Sequence, residues 1–177
     1  LRAAIAEAAG LASFERNGDV VRFASYAPLL ARRGHTQWHP DLIYFTGTEV
    51  FPSANYYVQQ LFGRNGGDTW LETVLSTNAA PPTLAVSAVR DSKSGDLILK
   101  VVNGANATAP LHLRLDGLTS GTARTVTRTV LTGPGPEAVN EDGQPPAVKP
   151  QTARLSLEAS FDYDAPANSL TVFRISP

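Results

Sequence analysis

The sequence predicts an α/β part followed by an antiparallel all-β sandwich. Apolar residues recur at helical spacing only within residues 1–63, whereas residues 67–177 consist of short runs that alternate apolar and polar side chains. The whole chain has 177 residues, the length of about one domain. The first part is therefore too short to be an independent domain, and the second part is long enough to form a sandwich.

The first part begins with a helix and a strand. Ile5, Ala8 and Leu11 recur at helical spacing and predict a helix, which Asn17-Gly18 would end in a left-handed conformation. The apolar run Val20–Tyr26 does not alternate strictly, as is typical of a parallel strand that is buried on both faces. A helix followed by such a strand indicates part of a larger α/β domain.

A long loop and a second helix complete the first part. Residues 27–52 lack periodicity, and a gap of this length inside a compact domain usually serves a function. The next helix is predicted to begin near Ser53 and to close at Gly63. Because the chain lacks Met and no capping residue precedes the first apolar positions, we expect it to be a piece of a longer polypeptide.

Seven short runs predict the strands of the sandwich. They are Asp68–Val74, Leu84–Val89, Leu97–Val102, Leu111–Leu115, Val126–Leu131, Leu155–Leu157 and Leu170–Ile175. Turn sequences such as Asn103-Gly104 and Asp116-Gly117 separate several of them. Gly133–Pro150 interrupts the series with five prolines, which predict a conformationally restricted loop.

Composition excludes several classes of function. Fifteen basic and sixteen acidic residues give a net charge of −1, too little positive charge for a nucleic-acid-binding surface. No apolar run is long enough to span a bilayer, and the absence of cysteine removes thiol catalysis and Cys-ligated zinc. We expect no cofactor and no metal, and the composition leaves the cellular compartment open.

The candidate binding residues are Gln37 and Trp38, within the segment His35–Pro40 of the long loop. A glutamine amide can hydrogen-bond sugar hydroxyls, and an indole offers a flat apolar face for a sugar ring. The alternative is that Trp38 is a buried anchor of the loop and Gln37 an ordinary surface residue. The four-residue spacing of His35 and His39 would suit a metal only on a helix, which Gly34 and Pro40 disfavour.

Acidic residues cluster elsewhere, at Glu137, Glu141 and Asp142 in the Gly133–Pro150 loop. A glycoside hydrolase needs two carboxyl groups facing each other across a cleft. These three lie on a Pro- and Gly-rich loop of the second part, so we interpret them as a solvated acidic loop.

Several segments together resemble the C-terminal part of glycoside hydrolase family 51. They are Glu15–Val21, Ala24–Leu30, Gln37–Phe45, Pro52–Phe62 and Leu131–Pro150. The resemblance implies that residues 1–63 are the last βα unit of a (β/α)₈ barrel and its preceding helix, with Val20–Tyr26 as the eighth strand. Residues 67–177 would form a jelly-roll-like sandwich.

The resemblance also implies an activity. Family members are chiefly retaining α-L-arabinofuranosidases that use one Glu as acid/base and another as nucleophile, both on earlier barrel strands. This chain would hold neither and would be inactive alone. Gln37 matches a glutamine that hydrogen-bonds the arabinofuranose, and Trp38 would lie beside it. The implied partners are arabinose-containing polysaccharides or oligosaccharides, the upstream barrel and possible further copies in a homo-oligomer.

Three alternatives remain open. The parent protein would be an endoglucanase or xylanase of the same family, or the β part would be a non-catalytic module that binds carbohydrate or serves a structural role. An extracellular sandwich of the adhesion type is the third. The sandwich part has few aromatic residues for a binding platform, namely Trp70, Phe161, Tyr163 and Phe173.

Overall fold

The computed structural model describes residues 1–76, 83–119, 121–140 and 144–177. In these residues the chain forms two helices, α1 (Arg2–Arg16) and α2 (Ala54–Arg64), and eleven strands. The strands are β1 (Leu30–Arg32), β2 (Ile43–Phe45), β3 (Val50–Pro52), β4 (Thr69–Leu71), β5 (Leu84–Arg90), β6 (Leu97–Asn103), β7 (Ala109–Arg114), β8 (Arg124–Leu131), β9 (Gln151–Leu157), β10 (Ser160–Ala165) and β11 (Ser169–Ile175).

Both predicted helices are present, but their ends differ from the predictions. Helix α1 ends at Arg16, and its C-cap Asn17 has φ −113°, so the predicted left-handed stop at Asn17-Gly18 is wrong. The Asn17 amide instead donates to the carbonyls of Ser13 and Phe14. Helix α2 starts after Ser53, whose side chain accepts a hydrogen bond from the Tyr56 amide, and continues past Gly63.

The strand predicted over Val20–Tyr26 is not formed. Residues 21–26 have no regular secondary structure, and the apolar side chains of Val20 and Phe23 are 76% and 84% exposed. A strand requires a hydrogen-bonded neighbour, and no described residue pairs with this segment. An apolar run thus predicted a strand whose partner the described residues do not supply.

The predicted long loop contains a small sheet with the order β1-β2-β3. Strands β1 and β2 are parallel, and β2 and β3 are antiparallel. Each strand has only three residues, which is too few to show a period in the sequence.

Residues 67–177 form antiparallel sheets, as predicted. Six strands pair in the order β4-β5-β6-β11-β8-β9, and β7 pairs with β10 in a separate ribbon. All seven predicted strand regions contain a strand, and β10 is an eighth that the prediction missed. Six of these eight strands thus belong to the large sheet and two to the ribbon. The described residues of the Gly133–Pro150 loop form no helix or strand, in agreement with the predicted loop.

The six-stranded sheet separates two apolar clusters. On one face the helices pack against it, with Ile5 and Val58 meeting Ile98 and Leu170. On the other face the β7–β10 ribbon covers part of the sheet, and Tyr163 stacks edge-on against Phe173 with ring centroids 4.9 Å apart. The helices, the sheet and the ribbon therefore form three layers.

Polar contacts fix the helical layer in place. The ammonium group of Lys100, on the central strand β6, is fully buried and lies 2.7 Å from both Glu15 Oε1 and the carbonyl oxygen of Asn65. The second carboxylate oxygen of Glu15 accepts a hydrogen bond from Ser87 on β5. The end of each helix is thereby joined to the sheet by one lysine.

The Gly133–Pro150 loop is ordered against the start of α1. Val148 is fully buried in the helical cluster, and Asn140 Nδ2 donates to its carbonyl at 2.9 Å. The backbone nitrogen of Leu1 donates to the carbonyl of Ala138. Neither described helix is long and apolar enough to cross a membrane.

Candidate functional site

The segment that carries Gln37 and Trp38 connects β1 to β2 across the end of the small sheet. The Leu42 and Ile43 amides donate to the carbonyls of Pro28 and Leu29, which holds the returning chain beside the outgoing one. Ser53 also donates to the Leu42 carbonyl, through its hydroxyl at 2.8 Å. The segment is therefore anchored at its base, next to the start of α2.

Thr36 and Asp41 determine the shape of the turn. The Thr36 hydroxyl accepts a hydrogen bond from the Trp38 amide at 3.2 Å and lies 3.2 Å from Asp41 Oδ2. Asp41 is only 1% exposed. Because a buried carboxylate is costly without a donor, this hydroxyl contact favours one conformation of the turn.

Two tyrosines hydrogen-bond to the backbone of the turn. The Tyr44 hydroxyl accepts a hydrogen bond from the Asp41 amide at 2.8 Å, and its ring stacks against His39. The Tyr26 hydroxyl donates to the Pro40 carbonyl at 3.2 Å. Burial, with smaller contributions from the nearby acidic groups, raises the pKa of Tyr26.

Gln37 and Trp38 lie at the exposed tip of this turn. Trp38 is 63% exposed, so the alternative prediction of a buried anchor is wrong for this chain. The Gln37 side chain is also exposed, and no described residue hydrogen-bonds to its amide. Thr36, itself bonded to Asp41, holds the Trp38 backbone, while the side chains of Gln37 and Trp38 face solvent. Such an arrangement can present an amide and an indole face to a ligand.

The other sequence candidates do not form sites among the described residues. The described residues contain no group of three or more His, Asp and Glu side chains placed to hold a metal ion. Glu137 is exposed and pairs with Arg2, whereas Glu141 and Asp142 lie outside the described residues. Three of the four sandwich aromatics, Phe161, Tyr163 and Phe173, pack into the core rather than forming a binding platform.

Two clefts flank the segment that follows α1. One of about 510 Å³ is lined by Phe14, Phe23 and Trp70 among others, between that segment and the first strands of the large sheet. The other, of about 440 Å³, lies between α1 and Tyr26. Both leave apolar side chains of the helical part accessible.

The α-L-arabinofuranosidase C-terminal domain family model matches residues 1–169. The chain belongs to this family. The arabinofuranosidase match thus extends across both the helical part and the sheets.

Relatives of this arabinofuranosidase family are similar over nearly the whole chain. The chain is 34% identical over 97% of its length to alpha-L-arabinofuranosidase A of Aspergillus niger and 33% identical over 98% to alpha-L-arabinofuranosidase 1 of Arabidopsis thaliana. It spans 26% of the length of each, so it corresponds to about a quarter of these arabinofuranosidases.

Solved arabinofuranosidase structures have the same fold. An arabinose-bound GH51 α-L-arabinofuranosidase, MgGH51, superposes with a TM-score of 0.88 at 37% identity, over 98% of this chain and 27% of that one. The Thermotoga maritima enzyme in complex with arabinose superposes with a TM-score of 0.83 at 19% identity, over 98% of this chain and 38% of that one. The second comparison supports the fold alone.

The sequence analysis missed the residues that support the tip. Thr36, Asp41 and Tyr44 lie within or beside the segments compared with family 51, yet their pattern follows no helical or strand period. Only Asp41 had a detectable sequence signal. It directly precedes the apolar run Leu42–Phe45, and a charged side chain beside a buried run needs a hydrogen-bond partner.

Proposed function

We propose that this chain is the C-terminal part of a retaining α-L-arabinofuranosidase that releases arabinofuranose from arabinoxylan, arabinan or their oligosaccharides. The observation that carries the proposal is 34% identity, over 97% of the chain, to a protein named alpha-L-arabinofuranosidase A. The 37% identity to an arabinose-bound family 51 enzyme supports it independently.

Residues 1–63 are, in this proposal, the end of a (β/α)₈ barrel, and residues 67–177 the domain that packs on it. The exposed side chains of Val20 and Phe23 support this assignment, because such residues are normally covered in a complete protein. The clefts on both sides of the segment after α1 leave room for neighbouring barrel elements. An upstream strand would give residues 20–26 the neighbouring strand that the described residues do not supply.

The chemistry would be performed outside this chain. A retaining glycosidase uses two carboxyl groups roughly 5 Å apart, one to protonate the leaving oxygen and one to form the glycosyl-enzyme. We assign both to glutamates of the upstream barrel. Gln37 would donate or accept a hydrogen bond with an arabinofuranose hydroxyl, and Trp38 would form an apolar wall beside the sugar.

The first test compares this 177-residue chain with the longer protein that contains it, using p-nitrophenyl α-L-arabinofuranoside. We expect turnover from the longer protein and none from the chain alone, after circular dichroism establishes that the chain is folded. Turnover by the chain alone would mean that the acid/base and nucleophile lie within these residues.

The second test addresses the tip of the turn. In the longer protein, Gln37→Ala should lower kcat/KM about tenfold, the effect of losing one hydrogen bond of roughly 1.4 kcal/mol. His35→Ala is the matched control, because His35 is an exposed neighbour in the same turn with no assigned role. Equal kinetics for both variants and the parent would remove Gln37 from the site.

A further inference from the structure

The outer face of the β7–β10 ribbon carries a group of polar residues that the proposed glycosidase does not use. Along each strand, side chains alternate between the sandwich core and solvent, so Leu111 and Tyr163 point inward. His112, Ser160 and Asp162 lie on the opposite, exposed face. The register places Asp162 directly across from His112.

The alternation of hydrogen-bonded and non-hydrogen-bonded pairs along the ribbon brings these side chains close together. The Leu115 amide donates to the Ala159 carbonyl at 2.8 Å, which makes the odd-numbered pairs the hydrogen-bonded ones. His112 and Asp162 therefore form a non-hydrogen-bonded pair, in which side chains approach most closely. Ser160 is the diagonal neighbour of His112, within reach of its ring.

The three side chains form a continuous hydrogen-bonded chain. His112 Nδ1 lies 2.7 Å from Asp162 Oδ1, and the Ser160 hydroxyl lies 2.9 Å from His112 Nε2. An ionised carboxylate can only accept, so in the neutral imidazole Nδ1 carries the proton and Nε2 accepts from the serine. This is the order of contacts that activates a serine nucleophile.

We propose that Ser160 is a nucleophile for accessible carboxylic esters, with His112 as its base and Asp162 as the residue that orients the histidine. Ser160 Oγ would attack the ester carbonyl carbon while its proton passes to His112 Nε2. The bond to the leaving oxygen then breaks, and that oxygen takes the proton from Nε2. His112 Nε2 then takes a proton from water, which attacks the acyl carbon. The bond from that carbon to Ser160 Oγ breaks, the serine oxygen takes the proton back from Nε2, and the carboxylic acid leaves.

The surroundings define which esters could react. The side chains of His112 and Asp162 are 65% and 90% exposed, so the ribbon face has no enclosed pocket and favours small, unhindered acyl groups. The amides of Ser160 and Asp162 point away from β7, because both residues belong to non-hydrogen-bonded pairs. That edge of β10 has no third strand among the described residues, so an oxyanion could be met there by an unpaired amide.

The test uses p-nitrophenyl acetate with the longest native form of the protein, and peptide mass mapping to locate the acetyl group. We expect acetylation of Ser160 in the parent protein and none at this position in Ser160→Ala. His112→Gln should slow acetylation of Ser160 by about 100-fold, the lower part of the range for a positioned general base. Ser156→Ala is the matched control, since Ser156 is another exposed strand serine without a histidine partner, and should react like the parent.

Two results would overturn the proposal. In the first, acetyl groups appear on exposed serines, tyrosines and lysines without preference for Ser160. In the second, His112→Gln leaves the rate of Ser160 acetylation unchanged, in which case the three side chains only stabilise the ribbon. Thermal unfolding of each variant keeps a loss of reactivity separate from a loss of structure, and Asp162→Asn, which preserves side-chain volume, gives a second slowed variant if His112→Gln unfolds.

Discussion

Lys100 gives the most direct test of how the helices are held on the sheet. Its ammonium is fully buried and makes two charge-assisted hydrogen bonds, to Glu15 and to the Asn65 carbonyl, and it lies 5.2 Å from the centre of the Phe62 ring. Removing one partner of a buried pair costs about 3–5 kcal/mol. Lys100→Met keeps an unbranched apolar side chain, one atom shorter than lysine, and removes the charge and the hydrogen-bond donors.

The two partners should not cost the same. After Lys100→Met, Glu15 is still 18% exposed and still bonded to Ser87, so we expect a loss of about 3 kcal/mol, the lower end of the range. After Glu15→Met, the fully buried ammonium has only a carbonyl partner, and we expect about 4 kcal/mol. The double variant should cost no more than the larger single loss, which gives a coupling energy of about 3 kcal/mol.

Urea unfolding, followed by the fluorescence of the two tryptophans, measures these free energies. Lys93→Met is the matched control, because Lys93 lies on an exposed turn and its replacement should change stability by less than about 0.5 kcal/mol. Additive losses in the double variant, or a Lys100→Met loss as small as that of Lys93→Met, would refute the view that this ion pair fixes the helical layer.

Three further predictions concern stability. Gly67→Ala should cost about 1–3 kcal/mol, because its Cβ would lie 2.5 Å from a backbone oxygen of β5. Gly63→Ala should stabilise α2 by roughly 0.5–1 kcal/mol, because its Cβ would meet no atom within 4 Å beyond its chain neighbours and the helix backbone, so the two thermal unfolding temperatures should shift in opposite directions. Val148→Ala should cost roughly 2 kcal/mol in urea unfolding, whereas Val139→Ala, 60% exposed in the same loop, should be nearly neutral; equal losses would contradict the burial argument. Burial lowers the pKa of Lys100 despite Glu15, so between the lowered value and the ordinary 10.5 the unfolded state binds more protons. In that window the parent should gain stability relative to Lys100→Met as pH rises, and a constant difference across the window would contradict the shift.

The sequence predicted best those elements whose side chains show a clear helical or strand period. Helix α2 was predicted to within about one residue because its apolar face and its Ser53 cap are local signals. The strands of the large sheet were found because one or both faces are buried, which leaves an apolar or alternating pattern. The missed strand β10 carries Ser160, Asp162 and Asp164 on its outer face, and this polar composition resembles that of a loop.

Val20–Tyr26 is the opposite case, a strand that was predicted but is not formed. Its apolar composition predicted a buried strand, but composition reports the environment that a segment is suited to, whereas pairing depends on which strands lie beside it. The turn at Thr36 and Asp41 failed for a related reason, since its hydrogen bonds join residues two to five positions apart without any repeating period.

By itself, the sequence determined the order of helical and β parts, the positions of most elements, the family and the candidate residues Gln37 and Trp38. These properties depend on local periodicity and on residue identity, both of which can be read directly from the amino-acid sequence. Only the tertiary structure decided that one lysine joins both helices to the sheet and that His112, Ser160 and Asp162 meet on one face. Such contacts link residues 35 to 85 positions apart, and their distances depend on strand register, which no local pattern specifies.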